Sequence, residues 1–164
     1  YMRLRAPGGG EAGVTGAMVL EALGAELVSI HLEGAAGIHA DVMPMVWADV
    51  YEYHRERLEK EPERFGEDVR SRMLLGREVS GRDYAEALRH RAHWNRTIDR
   101  TLQILYMIIT PTAPATAPSI ADSRNMLATT HHLTRFTFPF SRACLTGLSV
   151  PCGLSAEGLS LIHI

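Results

Sequence analysis

The stretch that most restricts the fold is "SGRDYAEALRHRAHWNRTIDRTLQIL", followed at once by "YMIITPTAPATAPSI". The first part opens on Ser80 with Asp83 three residues later, the spacing of a capping box, and carries Tyr84, Leu88, Ile98, Leu102 and Leu105 as an apolar helical stripe. The second part is a β-branched run broken at Pro111. A long helix delivered straight into a strand belongs to a mixed α/β sheet flanked by helices rather than to a helix bundle. The proline-rich loop then lies at the carboxyl end of that strand, where open α/β sheets bind ligands.

The flanking segments extend this pattern. "YMRLRAPGGGEAG" reads as loop, and "VTGAMVLEALGAE" as a short helix with Val14, Met18 and Leu23 on one face and Gly24 as its C-terminal cap. Leu27 to Leu32 alternates as a strand does, and "EGAAG" ends it. From His39 to Glu61 the spacing predicts a helix with Val42, Val46, Val50 and Tyr53 inward. Glu52, Glu56 and Lys60, with Arg55 and Glu59, fall on its wet side, and Pro62 stops it. "GEDVRSRMLLG" reads as a second, shorter helix with Val69, Met73 and Leu74 inward. Downstream, "ADSRNMLATTHHL" reads as a short helix, Leu148 to Gly153 as a buried strand, and Leu159 to Ile164 as a further apolar strand.

Composition removes several function classes. With 46% hydrophobic and 22% charged residues in 164, the chain is that of a globular domain with a core. A net charge of −2 supplies no general attraction for nucleic acid or an anionic membrane, so neither is expected as a partner. Lys60 is the single lysine among 17 basic residues, a bias that fits a GC-rich coding sequence. No run approaches the roughly 18 apolar residues of a membrane span, and the N-terminal stretch lacks a signal-peptide core. Cys144 and Cys152 make no disulfide framework at this length and read as reduced, buried thiols of a cytoplasmic protein.

Few residues could carry chemistry. Glu86, His90 and His93 share one helix face, but Arg89 and Arg91 beside them disfavour a dication, and a charged, solvated face is the simpler reading. Adjacent His131 and His132 point in different directions in either a helix or a strand. Cys152 sits in an apolar run, where a thiol is inert packing. Lys60, among the carboxylates of "LEKEPE", has its charge favoured rather than suppressed. The chain contains no G-x-S-x-G elbow, no phosphate loop and no G-x-G-x-x-G. No catalytic residue and no metal site is therefore expected within it.

Three stretches, in order, resemble the C-terminal part of the amidase signature family. The first, "YEYHRERLEKEPERFGEDVRSRMLLGREVSGRDYAEALRHR", is similar to the family's Tyr-His helix, its Phe-Gly-x-x-Val-x-x-Arg turn and the long helix after Leu-x-Gly. The second, "YMIITPTAPATAPSI", is similar to Asp-Val-Leu-Leu-x-Pro-Thr-x-Pro. The third, "FTFPFSRACLTGLSVPCGLSAEGL", is similar to Pro-x-Asn-Leu-x-Gly-Leu-Pro-x-x-Ser-Val-Pro-x-Gly-x-x-x-x-Gly-Leu-Pro. The likeness runs from about Leu23 to Leu159.

The resemblance implies a mixed, twisted sheet and hydrolysis or transfer at a carboxamide by a Ser–cis-Ser–Lys triad, with no cofactor. That machinery lies upstream of the matched region in the family, so this chain alone is expected to be inactive, a wall of a small-molecule amide pocket. In the glutamine-using subunits of the aminoacyl-tRNA amidotransferases, an arginine of the Val-x-x-Arg segment binds the glutamine carboxylate. Arg72 is its match, with Arg70 the alternative. The same subunits place an aspartate where this chain has Thr134, which favours a stand-alone amidase with a different substrate over a glutamyl-tRNA amidotransferase subunit. Cys144 stands where the family has the glycine of Gly-Leu-Pro, an uncomfortable exchange if that glycine's backbone is unusual.

After "GLSAEGL" the family continues Pro-x-Gly-Leu-Gln-Leu-x-Gly, whereas this chain reads "SLIHI". The codons CTG TCT CTT ATA CAC ATC encode Leu159 to Ile164 and resemble the end sequence used in transposase-based libraries. The expected organisation is thus one truncated amidase signature domain over residues 1–158, with a non-native tail over 159–164. The rival reading is a non-catalytic helical interaction domain over residues 39–105. Pairing of "YMIIT" with "LSVPC" would favour the enzyme. A truncated sheet would also leave an open strand edge prone to aggregation.

Overall fold

The computed structural model describes residues 19–117, 119, 126–154 and 160–163. The N-terminal loop, the first half of the helix carrying Val14 and Met18, the start of "ADSRNMLATTHHL", and residues 155–159 and 164 lie outside the described residues. The chain divides into two compact units, Gly34–Asn95 and the flanking segments Tyr1–Glu33 with Arg96–Ile164.

The Gly34–Asn95 unit is helical. Gly34, at φ +85°, accepts from Gly37 and Ile38 N–H and so turns the chain into α1, Ile38–Lys60. The first half of α1 buries Ile38, Val42 and Met45. Its middle sets the Trp47 carbonyl and Tyr51 Cβ against Gly76. One stripe through Tyr53 cannot serve two differently placed neighbours, and Tyr53, expected inward, is 80% exposed. The ion pairs Arg55–Glu52 and Lys60–Glu56 occupy the wet side as the spacing predicts. Pro44 lies within the helix, where its missing N–H leaves the Ala40 carbonyl without the usual helical donor.

Pro62 ends α1 and opens a 3₁₀ turn, Pro62–Arg64. Phe65 is extended, Gly66 caps α2 (Glu67–Leu74), and a second 3₁₀ turn follows at Leu75–Glu78. Val69 and Met73 are half-buried, but Leu74, expected inward, is exposed at the helix end. Gly76 is the tightest point of the unit. A Cβ there would overlap the Trp47 carbonyl oxygen and lie 2.5 Å from Tyr51 Cβ.

Helix α3 is Gly81–Leu102. Its capping box is reciprocal: Ser80 N–H and Oγ donate to Asp83 Oδ2 at 3.1 and 2.6 Å, and Asp83 N–H donates to Ser80 Oγ at 3.2 Å. The line turned inward is Tyr84, Ala87, Arg91, Trp94, Ile98 and Thr101, at alternating three- and four-residue steps. Leu88, expected on that line, is exposed; small Ala87 and amphipathic Trp94 take the buried places. Fully burying a side chain of this kind contributes about 1.5–3 kcal/mol. Three contacts show that α1 and α3 run antiparallel: Gly34 beside Trp94, Asp41 Oδ2 3.8 Å from His90 Nδ1, and Asp49 Oδ1 accepting from Tyr84 Oη at 3.0 Å.

In the other unit, a helical turn at 19–22 closes on Gly24 at φ +94°, as the sequence predicts for its cap. Leu32, Ile98, Thr110, Phe136 and Pro139 are buried. Helices α4 (Met126–Thr134) and α5 (Phe138–Arg142) follow the proline-rich segment. Strand β1 (Val150–Leu154) pairs antiparallel with β2 (Ser160–His163), with a register shift between Pro151 and Gly153 that leaves Cys152 without a ladder partner.

The sheet differs from expectation. Among the described residues the ladder is this two-stranded ribbon, and β1 pairs with β2 rather than with Tyr106–Thr110. Leu27–Leu32 and Tyr106–Thr110 have the residues of strands but no ladder. A strand gets its backbone bonds only from neighbours, so the same β-branched run without one is merely an irregular segment.

Candidate functional site

The Arg72 region is built by α2 and the turns on either side of it. Gly66 has φ −58° and ψ 144°, ordinary extended geometry, and a Cβ there would sit 3.2 Å from Asp68 Oδ1. One turn on, Arg72 Nε donates to the Asp68 carbonyl at 3.1 Å, and its Nη2 lies 3.5 Å from Asp68 Oδ2. The Arg72 side chain is 32% exposed. Arg70, at similar exposure, sends Nη2 to Glu67 Oε2 at 2.5 Å. Both candidates are therefore paired on their own helix, in different ways. A cleft of about 380 Å³ opens nearby, lined by Arg57, Glu61, Arg64 and Phe65, with Arg64 Nη1 2.8 Å from Glu61 Oε2.

Thr134 belongs to the other unit, as the last residue of α4. Its Oγ1 donates to the Thr130 carbonyl at 2.7 Å, and its own carbonyl accepts from Thr137 N–H and Oγ1 at 3.0 and 3.3 Å. The hydroxyl proton is thus spent within the helix, and what the side chain offers outward is an uncharged acceptor. Helix α5 ends in a Schellman motif: Cys144 N–H donates to Ser141 O at 3.2 Å and Leu145 N–H to Phe140 O at 3.3 Å. Cys144 fills the left-handed position at φ +56° and is the one non-glycine residue with positive φ among the described residues; it is exposed there, not buried as expected, because the helix end places it on the surface. The structure thus gives a physical reason why a glycine suits this position.

The remaining candidates stay apart. Glu86, His90 and His93 are exposed on α3, and His131 and His132 are exposed on α4. Among the described residues no group of His, Cys, Asp and Glu is arranged to hold a metal ion. Among the described residues, two side chains titrate away from their usual values. The Ser80 hydrogen bonds hold the Asp83 carboxyl below its ordinary value, and the Asp49 carboxylate, by accepting the Tyr84 proton, holds that phenol above its own. Both belong to helix capping and pairing rather than to a cleft. Sequence reasoning missed Asp68 altogether. Its signal was available: an acid four residues before Arg72 on a predicted helix.

The Amidase family pattern matches residues 12–161, and the chain belongs to that family. Among its relatives, an amidase of Pseudomonas putida is 32% identical over 146 residues, 85% of this chain and 31% of that protein. The A-type subunit of the glutamyl-tRNA(Gln) amidotransferase of Synechococcus sp. (strain RCC307) is 32% identical over 104 residues, 60% of this chain and 21% of that protein. In fold, the chain is similar to a crystallised amidase, with a TM-score of 0.77 and 20% identity over 93% of this chain and 36% of the other. It is also similar to 6-aminohexanoate cyclic dimer hydrolase, with a TM-score of 0.75 and 18% identity over 96% and 37%. The chain therefore spans about a third or less of the length of the relatives it matches. No helix among the described residues is long and apolar enough to cross a membrane.

Proposed function

We propose that this chain is the C-terminal portion of a cytoplasmic, stand-alone amidase that hydrolyses the C–N bond of a small-molecule carboxamide. The observation that carries this reading is the match over residues 12–161, together with an amidase that aligns across 85% of the chain. The hydrolytic step belongs to a Ser–cis-Ser–Lys triad in the part of the family domain that precedes the matched region. This chain supplies pocket wall and no catalytic residue. Arg72 anchors a substrate carboxylate, and Thr134 is a substrate-binding residue that offers a neutral acceptor. No metal, nucleotide, nucleic acid or membrane takes part.

The rest of the domain also completes the sheet. Leu27–Leu32, Tyr106–Thr110 and the start of β1 are its strands, and their neighbours come from the remaining two-thirds of the family's length. Residues 1–158 are the native part. Residues 159–164 derive from a DNA end sequence, so the pairing of β2 with β1 is what any apolar run does beside an open edge.

A second reading has an observation in its favour. Several relatives of this chain are glutamyl-tRNA(Gln) amidotransferase subunits, one of them aligning across 87% of it. Against that reading stands Thr134 in place of those subunits' aspartate. The test is ammonia release from a panel of primary amides by the family-length protein that carries this segment. Turnover without ATP or charged tRNA supports the stand-alone amidase, and absence of turnover on every amide sinks it.

A further inference from the structure

We infer that Asp68 is a positioning residue that aims the Arg72 guanidinium at its substrate carboxylate, with Gly66 leaving the room it needs. The inference rests on the carboxylate role proposed for Arg72 and adds what holds that side chain. A guanidinium has five N–H donors in a fixed fork. Asp68 holds one edge of the fork with two of its own oxygens. Its main-chain carbonyl accepts from Nε at 3.1 Å, and Oδ2 faces Nη2 at 3.5 Å. That leaves the end of the fork, one N–H of Nη1 beside the second N–H of Nη2, for an incoming carboxylate, a geometry in which arginine binds such groups bidentately.

The neighbours explain why this pair differs from an ordinary surface pair. The same Asp68 carbonyl accepts from Ser71 Oγ at 3.0 Å, which ties the turn on which Arg72 leans. The other carboxylate oxygen, Oδ1, lies over Gly66, where a Cβ would come within 3.2 Å. A methyl group at 66 would make the carboxylate give by a few tenths of an ångström. Arg70 has no such arrangement: Glu67 binds the tip of its fork and is itself 82% exposed. The geometry thus separates the two arginines that the sequence left as alternatives.

An exposed i,i+4 pair adds little to folding, so removing Asp68 should leave the fold in place and let kinetics report on aim. The experiment measures kcat and KM of the family-length enzyme on succinamate, which carries a carboxylate, and on butyramide, its neutral counterpart. Asp68→Ala should raise the KM ratio of succinamate to butyramide about fivefold, the effect falling on KM rather than kcat. Asp68→Glu should restore part of it, and Gly66→Ala, whose backbone suits any residue, should shift the ratio the same way but less. In an Arg72→Met background, Asp68→Ala should add nothing. The inference is overturned if Arg72→Met moves the ratio while Asp68→Ala does not, or if Asp68→Ala acts as strongly without Arg72. Should Arg72→Met itself leave the ratio unmoved, the carboxylate role fails and this inference falls with it.

Discussion

Residues Gly34–Asn95 bury Val42 and Trp94 and satisfy their backbone in helices and 3₁₀ turns. The other unit leaves Ile104 80% exposed and Tyr106 fully exposed, with no ladder along Leu27–Leu32 or Tyr106–Thr110. The contrast comes from where each kind of element finds its hydrogen bonds. A helix closes them within its own segment, so α1 needs only side-chain and close-packing contacts, which it finds on α2, the turn at Leu75–Glu78 and α3. A strand borrows them from a neighbour, and this chain covers about a third of its relatives' length. A part of a domain can keep its helices while its sheet segments lose their partners.

Amide hydrogen exchange would show the contrast at its largest. Interior amides of α3 around Trp94 should exchange on the order of a hundredfold or more slower than those of Tyr106–Ile109. Equal rates in both would remove the distinction between the units. The next largest effect is expected at Gly76, where a methyl group has no space against the Trp47 carbonyl. Gly76→Ala should destabilise the helical unit by about 3 kcal/mol or more in denaturant melts. A loss below about 1 kcal/mol would mean that α1 and the turn at Leu75–Glu78 are joined less tightly than this contact implies.

Ser80→Ala removes half of a reciprocal cap and should cost the helical unit about 1 kcal/mol. Its acid partner adds a pH dependence. The Asp83 carboxyl titrates below its ordinary value of 3.8 when folded, so its contribution is present above that value and is lost as pH falls through the lower, folded one. Asp83→Asn should therefore flatten the acid limb of the stability profile, and an unchanged limb would show that the cap does not form in solution.

The smallest effect sharpens the comparison from the other unit. Gly24 and Cys144 close two helix ends with the same pair of Schellman hydrogen bonds, at φ +94° and +56°. Only the first has the residue suited to it. Cys144→Gly should stabilise by about 0.5–1 kcal/mol, the left-handed penalty less the added chain entropy. A destabilisation there would mean that the Cys144 side chain contributes more than its backbone costs.

How much was legible in the sequence follows the same division. The capping box at Ser80 and Asp83, the stop at Pro62, the cap at Gly24 and the ion pairs of α1 depend on residues three or four apart, and all are found. Which face is buried depends on what lies across from it. For that reason size alone puts Leu88 and Leu74 inward, while Ala87 and Trp94 take the interior of α3. The strand residues were legible but their partners were not, since pairing is a property of the whole sheet. Arg72 could be picked out by its motif, whereas Asp68 gained meaning only when its two oxygens were seen along one edge of the guanidinium.

The central claim is that this chain is the wall of an amidase whose catalytic residues precede it. Sequencing long, unbroken molecules of the source DNA across the locus tests it most directly. The expected result is an open frame continuing upstream into a lysine and a Gly/Ser-rich serine pair, with Leu-Pro-x-Gly-like codons in place of those for Leu159–Ile164. A frame that starts near Tyr1 and stops after Ile164 would contradict it, leaving a domain that keeps the wall of an enzyme without its chemistry.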